Sequence, residues 1–141
     1  MKKPTAKKTK LLTNDLVTTG RSQAEELVIA LLRLSFHGIK IERNDKSVLG
    51  RQEIDIHLVD YKIAIEVQGL THYSAIYGQN RLEESQERDA RKKARLLELG
   101  YILFEIDISK YTKENMYKEL KNYMTTHLIP ELKEVISSRS L

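Results

Sequence analysis

The first long pattern of apolar residues begins just after Gly20. The run SQAEELVIALLRLSFHG places apolar side chains at helical spacing, and Gly38 follows the last of them. Ser22 and Glu25 form a capping box, so the sequence predicts a helix that begins at Ser22 and ends before Gly38. The predicted apolar face of this helix consists of Ala24, Leu27, Val28, Leu31, Leu32, Leu34 and Phe36.

After this helix the spacing of the apolar residues changes to two. Residues 39–51 predict a first strand followed by a turn. In residues 53–58 and 62–68, apolar side chains alternate with polar ones, which predicts two strands joined by a turn at residues 59–61. The segment 70–80 that follows them predicts a loop.

The second half of the chain predicts one more strand between helices. A helix is predicted over residues 81–99, with Gly100 in the C′ position. A strand is predicted next, over residues 101–108 (YILFEIDI). From Thr112 the chain is predicted to be helical as far as Leu128, and Pro130 opens a last short helix. The order of elements indicates an α/β or α+β single domain with one small sheet flanked by helices.

Composition supports a globular domain and limits the metal chemistry. The 141 residues are 40% hydrophobic and 31% charged, and no apolar run approaches the roughly 18 residues that a membrane helix needs. No interaction with a membrane is therefore expected. The chain has no cysteine, so disulfides and thiolate metal sites are excluded, and hard ions with oxygen ligands are favoured.

The positive charge is concentrated at the start of the chain. The net charge is +4, and five lysines in the first ten residues account for more than all of it, which leaves −1 for residues 11–141. Residues 1–20 are predicted to form a basic, flexible arm ahead of a domain over 21–141. The lysines of the arm either contact nucleic acid or only increase solubility. They are Lys2, Lys3, Lys7, Lys8 and Lys10.

Two carboxylates stand on the polar faces of the paired strands. If the strands form a hairpin, Asp55 and Glu66 come within a few ångströms of each other. Two carboxylates at that separation raise each other's pKa and are best tolerated with a cation between them, which favours a Mg²⁺ site for phosphodiester hydrolysis. The alternative is that these polar residues form only a solvated face of the sheet.

The spacing of these residues resembles a known nuclease pattern. Asp55 is followed by residues 65–69 (IEVQG), by His72, and by a helix that ends in residues 96–101 (LLELGY). This order is similar to that of the PD-(D/E)xK nuclease superfamily, and more narrowly to proteins related to very-short-patch-repair endonucleases and to the RAP domain of organellar RNA-associated proteins. The resemblance covers residues 22–107 and implies a restriction-endonuclease-like α/β fold with a small mixed sheet, a core over 22–108 and a C-terminal helical segment over 112–138.

The resemblance also implies a metal site. Asp55 and Glu66 would bind Mg²⁺ or Mn²⁺ together with the backbone carbonyl of Val67. A glutamate on the first helix commonly joins such a site, and either Glu25 or Glu26 is available. We expect Glu25, because helical periodicity turns it inward beside the apolar face, although its capping role alone also accounts for it.

The chain departs from the family pattern at the lysine, which is replaced by Gln68. Because glutamine carries no charge, a lysine from the following helix is expected to supply it; the candidates are Lys93, which we take as the catalytic lysine, and Lys92. Solvation and the helix dipole alone would also explain these lysines. His72 is expected to act as a general base, a positioning residue or a phosphate contact, and Tyr73 to contact a nucleotide.

Three functions remain open from the sequence. The first is a Mg²⁺-dependent endonuclease that acts on DNA in preference to RNA, in a phage, mobile-element, restriction or repair setting. The second is a non-catalytic module that binds RNA or DNA, and the third is a partner-binding protein whose acidic strands are only solvated. An intracellular, nucleoid-associated location in the cytoplasm is expected. Sequence-specific cutting would suggest a homodimer or higher oligomer. The apolar face of the C-terminal helices either forms its interface or, as we expect, covers the sheet.

Overall fold

A computed structural model describes residues 16–69 and 79–140 of the chain. It contains a four-stranded sheet in the spatial order β1-β2-β3-β4, with helices before, between and after the strands. The elements are α1 (Leu16–Ser35), β1 (Ile41–Asp45), β2 (Ile54–Leu58), β3 (Ile63–Gln68), α2 (Gln79–Glu98), β4 (Ile102–Asp107), α3 (Met116–Tyr123) and α4 (Ile129–Arg139).

The sheet is mixed. Strands β1, β2 and β3 are antiparallel neighbours, and β4 lies parallel to β3 after the crossover through α2. A short 3₁₀ turn over Val59–Tyr61 joins β2 to β3, and Lys62 completes it with φ +53°. The α/β class, the small mixed sheet and the flanking helices predicted from the sequence are therefore confirmed.

Helices cover both faces of the sheet. Helices α1, α3 and α4 pack with the larger apolar cluster on one face, and α2 packs with a smaller cluster on the other. As a result every residue of β2 and β3 is buried, including the polar ones. The polar positions of these two strands therefore do not form a solvated face, and that alternative is wrong. The smaller cluster is built on Ile54, Ala64, Leu96 and Tyr101.

Helix α1 differs from its prediction in two respects. It begins at Leu16, so Ser22 lies inside the helix and is not its N-cap, and residues 16–20 are helical rather than part of an arm. The Ser22 hydroxyl instead accepts a hydrogen bond from Arg43. Leu34 is 83% exposed, because it lies about 200° around the helix from the fully buried Leu32, so its assignment to the apolar face is wrong.

The C-terminal helices are continuous rather than broken before Pro130. A π-helical turn over Met124–Leu128 joins α3 to α4, with helical dihedral angles at both junctions. Proline lacks the N–H of an α-helix and its ring clashes with the carbonyl four residues earlier, and the wider π turn accommodates this. The apolar face of these helices packs into the core through Leu120, Met124 and Leu128, so the expectation that it covers the sheet is confirmed. Among the described residues, no helix is both long enough and apolar enough to cross a membrane.

Candidate functional site

Asp55 and Glu66 face each other at one end of the β2–β3 hairpin. The register pairs Ile56 with Ile65, and continuing it by one residue places Asp55 opposite Glu66. The backbone N–H of Asp55 donates to Glu66 Oε2 at 3.0 Å, and the N–H of Val67 donates to Asp55 Oδ2 at 2.9 Å. One oxygen of each carboxylate is thus held by a main-chain donor, which fixes the orientation of both groups.

The second oxygen of each carboxylate binds a cationic side chain. Arg21 of α1 donates from Nη2 to Asp55 Oδ1 at 2.7 Å, and Lys92 of α2 donates from Nζ to Glu66 Oε1. Asp55 is 3% exposed and Glu66 is 6% exposed, so both charges are buried and need such partners. These two oxygens are the ones for which a metal ion would compete with a protein cation.

The environment of Glu66 favours an additional positive charge. Burial, together with the neighbouring Asp55 carboxylate, raises the pKa of the Glu66 carboxyl from 4.5 to about 7, although Lys92 and the N–H of Asp55 oppose this shift. Burial and the Asp55 carboxylate both disfavour the negative charge of Glu66, and Lys92 compensates that charge only in part. A cation placed between Asp55 and Glu66 would stabilise the charged form of the pair.

Glu25 belongs to the same network. Its Oε1 accepts from Arg43 Nε and Nη2 at 3.1 and 3.0 Å, and its Oε2 lies 3.3 Å from Arg21 Nε. Burial and the charge of Asp55 raise the pKa of Glu25, while the two arginines lower it. The side chain of Glu26 is 67% exposed and reaches Arg43 only at 3.8 Å, so the structure brings Glu25 rather than Glu26 towards the carboxylate pair.

The two candidate lysines on α2 have different partners. Lys92 contacts Glu66, whereas Lys93 Nζ lies 2.7 Å from Glu105 Oε2 and 3.3 Å from Asp89 Oδ2. Consecutive residues on a helix point about 100° apart, which separates the two ammonium groups. Of the alternatives left open by the sequence, the structure places Lys92 at the carboxylates and Lys93 beside them.

Gln68 stands two residues after Glu66, at the position where the nuclease pattern that the sequence resembles has lysine. The buried amide donates from Nε2 to Glu105 Oε2 at 2.6 Å, the same carboxylate that binds Lys93. It therefore helps to hold Glu105 and Lys93 in place next to the Asp55–Glu66 pair.

Asp55 and Glu66 are the side chains of the hairpin that could hold a metal ion. Within residues 16–69 and 79–140, no group of three or more histidine, cysteine, aspartate or glutamate side chains could hold a metal ion. The adjacent carboxylates of Asp55 and Glu66 remain, beside the peptide group of Val67. Mg²⁺ keeps several waters and is usually bound through one or two carboxylates plus phosphate oxygens, so a pair of carboxylates is the number of protein ligands that such an ion uses.

A cleft of about 350 Å³ opens beside Asp55, between the segment that precedes β2 and one face of α2. Its acidic residues are Glu53, Asp55 and Asp89. Positive charge exceeds negative charge on its walls, which suits a ligand that carries phosphates. A larger hollow of about 590 Å³ on α3 is lined only by exposed residues and lies away from the buried carboxylates. The cationic residues of the cleft are Arg21, Lys46, Arg51, Arg88 and Lys92.

His57 forms a separate buried cluster. Its Nδ1 lies 2.7 Å from Asp45 Oδ2 and its Nε2 lies 2.8 Å from the hydroxyl of Tyr101. The Asp45 carboxylate can only accept, so Nδ1–H donates to it, and the Tyr101 hydroxyl donates to Nε2. Both ring nitrogens are therefore used within the fold, and His57 joins Asp45 of β1 and Tyr101, the residue before β4, to β2 rather than lining the cleft.

Several predicted site residues lie outside the described part of the chain. These are His72, Tyr73 and the lysines of the first ten residues, and their roles stay predictions. The sequence did not identify Arg21 and Arg43, which bind Asp55 and Glu25. The spacing of four between Arg21 and Glu25 is a signal, but it has meaning only if the helix begins before Ser22.

Comparison with known proteins adds no assignment. No family model matches the chain, and no curated protein matches it. The function is therefore inferred from the arrangement of Asp55, Glu66 and Lys92 and from the cationic cleft beside them.

Proposed function

We propose that this protein is a Mg²⁺-dependent endonuclease that hydrolyses phosphodiester bonds of DNA and belongs to the PD-(D/E)xK superfamily. The observation that carries the proposal is the buried Asp55–Glu66 pair, fixed by main-chain donors on adjacent strands and bordered by a cationic cleft. The order of acidic residues that resembles the superfamily supports it, as does the mixed sheet with helices on both faces.

In this proposal Asp55, Glu66 and the carbonyl of Val67 hold Mg²⁺ or Mn²⁺. The ion, when bound, lowers the pKa of a bound water and neutralises charge on the scissile phosphate. Glu25 binds both Arg21 and Arg43, and it holds Arg21 where that side chain pairs with Asp55. Gln68 and Lys93 position the neighbouring carboxylate of Glu105.

Lys92 takes the role that the family assigns to the lysine after the glutamate. Its ammonium group contacts Glu66 and also lines the cleft. From there it can orient the attacking water and stabilise the negative charge that develops on the phosphate during in-line displacement. Lys92, on α2, therefore supplies the positive charge that Gln68, on β3, lacks.

The proposal is tested by cleavage assays with matched variants. Plasmid, single-stranded DNA and RNA are incubated with Mg²⁺, Mn²⁺ or chelator, using wild type, Asp55→Asn, Glu66→Gln and the control Asp60→Asn. Asp60 is an exposed acid in the turn at the opposite end of the same hairpin. We expect metal-dependent cutting of DNA that falls at least about 100-fold in the two site variants and is unchanged in the control.

A melting experiment tests the metal site without reference to activity. Saturating Mg²⁺ should raise the Tm of wild type, because an ion that binds only the folded state at 100 times its Kd adds about 2.7 kcal/mol of stability. Asp55→Asn and Glu66→Gln should lose this shift, and Asp60→Asn should keep it. Equal cleavage and equal metal-induced shifts in all four proteins would contradict the proposed site.

A non-catalytic nucleic-acid-binding module is the second candidate. It is favoured by Gln68 in place of the family lysine and by the fact that Arg21 and Lys92 already neutralise the two carboxylates. Binding of DNA or RNA without cutting, and without any Mg²⁺-dependent change in Tm, would support this alternative. Both functions imply an intracellular, nucleoid-associated protein, and we propose that location as part of either.

A further inference from the structure

Three cationic side chains that line the cleft beside Asp55 form no ion pair with the described residues. Lys46 and Arg51 come from the segment between β1 and β2, and Arg88 comes from α2. Among residues 16–69 and 79–140, these three side chains form no ion pair, whereas Arg21 and Lys92 are bound to the carboxylates. All three are exposed, so their charge faces the cleft and solvent.

Hydrogen bonds hold the segments that carry these three cations in a defined position. Gln52 Nε2 donates to the carbonyl oxygen of Arg88 at 3.1 Å, which ties the segment before β2 to α2. Within that segment the N–H of Gly50 donates to the carbonyl of Lys46 at 2.8 Å, and Gly50 has φ +81°, a conformation that side chains disfavour. The turn and this hydrogen bond thus bring Lys46 and Arg51 into the same cleft as Arg88.

The acidic residues of the cleft do not cancel this charge. Asp89 is paired with Lys93 at 3.3 Å, and Asp55 is paired with Arg21, which leaves the exposed Glu53. Three cations on two facing segments match a ligand with several regularly spaced negative charges. A nucleic-acid backbone has that character, and arginine and lysine are its usual phosphate contacts.

We propose that Lys46, Arg51 and Arg88 form a phosphate-binding subsite that holds the nucleic-acid backbone next to the phosphodiester at Asp55 and Glu66. The position of that phosphodiester rests on the proposed function, but binding at the subsite requires no cutting. The subsite contributes affinity and dependence on salt without selecting a base sequence, because phosphate contacts position a strand and do not read it.

The test compares salt dependence between charge-matched variants. Arg51→Gln/Arg88→Gln removes two charges from the cleft, and Lys113→Gln/Lys133→Gln removes two exposed charges elsewhere. The Kd for labelled single-stranded and duplex oligonucleotides is measured by fluorescence anisotropy in chelator, at about 50 to 200 mM salt. For the cleft variant we expect weaker binding and a log Kd–log salt slope that is smaller by about 1.4 to 1.8, and for the control no change in slope.

Further variants and outcomes separate this inference from the endonuclease proposal. Arg51→Lys/Arg88→Lys keeps both charges and should restore most of the salt-dependence slope. Lys46→Gln alone should lower the slope by about 0.7 to 0.9, so the subsite can still be tested if the double glutamine variant does not fold. A reduced slope in a protein that never cuts DNA would support the subsite and contradict the endonuclease. An unchanged slope in the cleft variant, or an equal loss in the control, would overturn the subsite even if wild type cuts DNA.

Discussion

At the scale of single residues, the site is defined by how buried charges are paired. Asp55, Glu66 and Glu25 are each at least 94% buried, and each contacts at least one arginine or lysine. Leaving one buried charge without its partner is strongly destabilising, whereas the intact network contributes little net stability. The network is therefore better explained by a function that uses its charges than by the stability of the fold.

The roles of the two neighbouring lysines can be separated by substitution. Lys92→Met should reduce DNA cleavage roughly 100-fold, because it removes the cation at Glu66 and in the cleft. Lys93→Met should change it by no more than a few-fold, since Lys93 binds Glu105 and Asp89. Initial rates at saturating DNA measure both effects. The opposite ranking would favour Lys93, the residue that the sequence suggested first.

The Asp45–His57 contact predicts a pH dependence of stability. Hydrogen bonds from His57 and from the N–H of Ser47 lower the pKa of Asp45 from 3.8 to about 2. A lowered pKa stabilises the folded state above the unfolded value near pH 4, and this contribution disappears as the pH falls through 2.

Asp45→Asn tests this contribution. Urea unfolding between pH 2 and 5 should show that wild type is more stable than the variant at pH 5 and that the difference in free energy of unfolding shrinks towards pH 2. A difference that stays constant over this range would show that the carboxylate charge of Asp45 does not stabilise the fold.

At the scale of elements, helix α1 shows how packing selects one face. Leu32 is fully buried against the sheet and Leu34, two residues later, is 83% exposed. Leu32→Ala should lower the free energy of unfolding by about 2–5 kcal/mol, because it removes core contacts and leaves a cavity. Leu34→Ala, its matched control on the same helix, should change it by no more than about 0.5 kcal/mol. Denaturant titration measures both, and similar losses would contradict the observed orientation of α1.

The β2–β3 hairpin is the element that creates the site. Its short turn fixes the register, and the register brings Asp55 opposite Glu66. Where regular pairing ends, the carboxylates accept the N–H groups of Asp55 and Val67 that would otherwise be unsatisfied in the interior. Helices α1 and α2 then each contribute one cation to the pair.

At the scale of the whole molecule, positive charge has two distinct locations. The first ten residues carry five lysines, and the cleft concentrates arginine and lysine on a body of net charge −1. Deleting residues 1–10 should weaken DNA binding and flatten its salt dependence by about one unit of slope or more, if the arm contacts phosphates. Anisotropy titrations at several salt concentrations measure this, and an unaltered slope would show that the lysines of the arm only increase solubility.

Self-association would need a surface other than the one suggested by the sequence. The apolar face of α3 and α4 is occupied by the core of the same chain through Leu120, Met124 and Leu128. A homodimer therefore remains a proposal without an assigned interface, and analytical ultracentrifugation with and without DNA measures it directly.

The sequence by itself determined the features that depend on near neighbours. Alternation of apolar and polar residues identified β2 and β3, and the short turn between them was enough to predict that Asp55 and Glu66 lie together. Gly100, which has φ +87°, lies just after the end of α2, as its place after the second helical pattern predicted. Each of these features is set by backbone geometry over a few residues, which a sequence pattern records.

Only the tertiary structure decided the features that join distant segments. The burial of Asp55 and Glu66, the choice of Lys92 over Lys93, and the arginines at the site depend on how α1 and α2 pack on the sheet. The contact between Lys92 and Glu66 spans 26 positions and that between Arg21 and Asp55 spans 34. Helix position and rotation set such contacts, and they follow from packing of the whole core rather than from local periodicity.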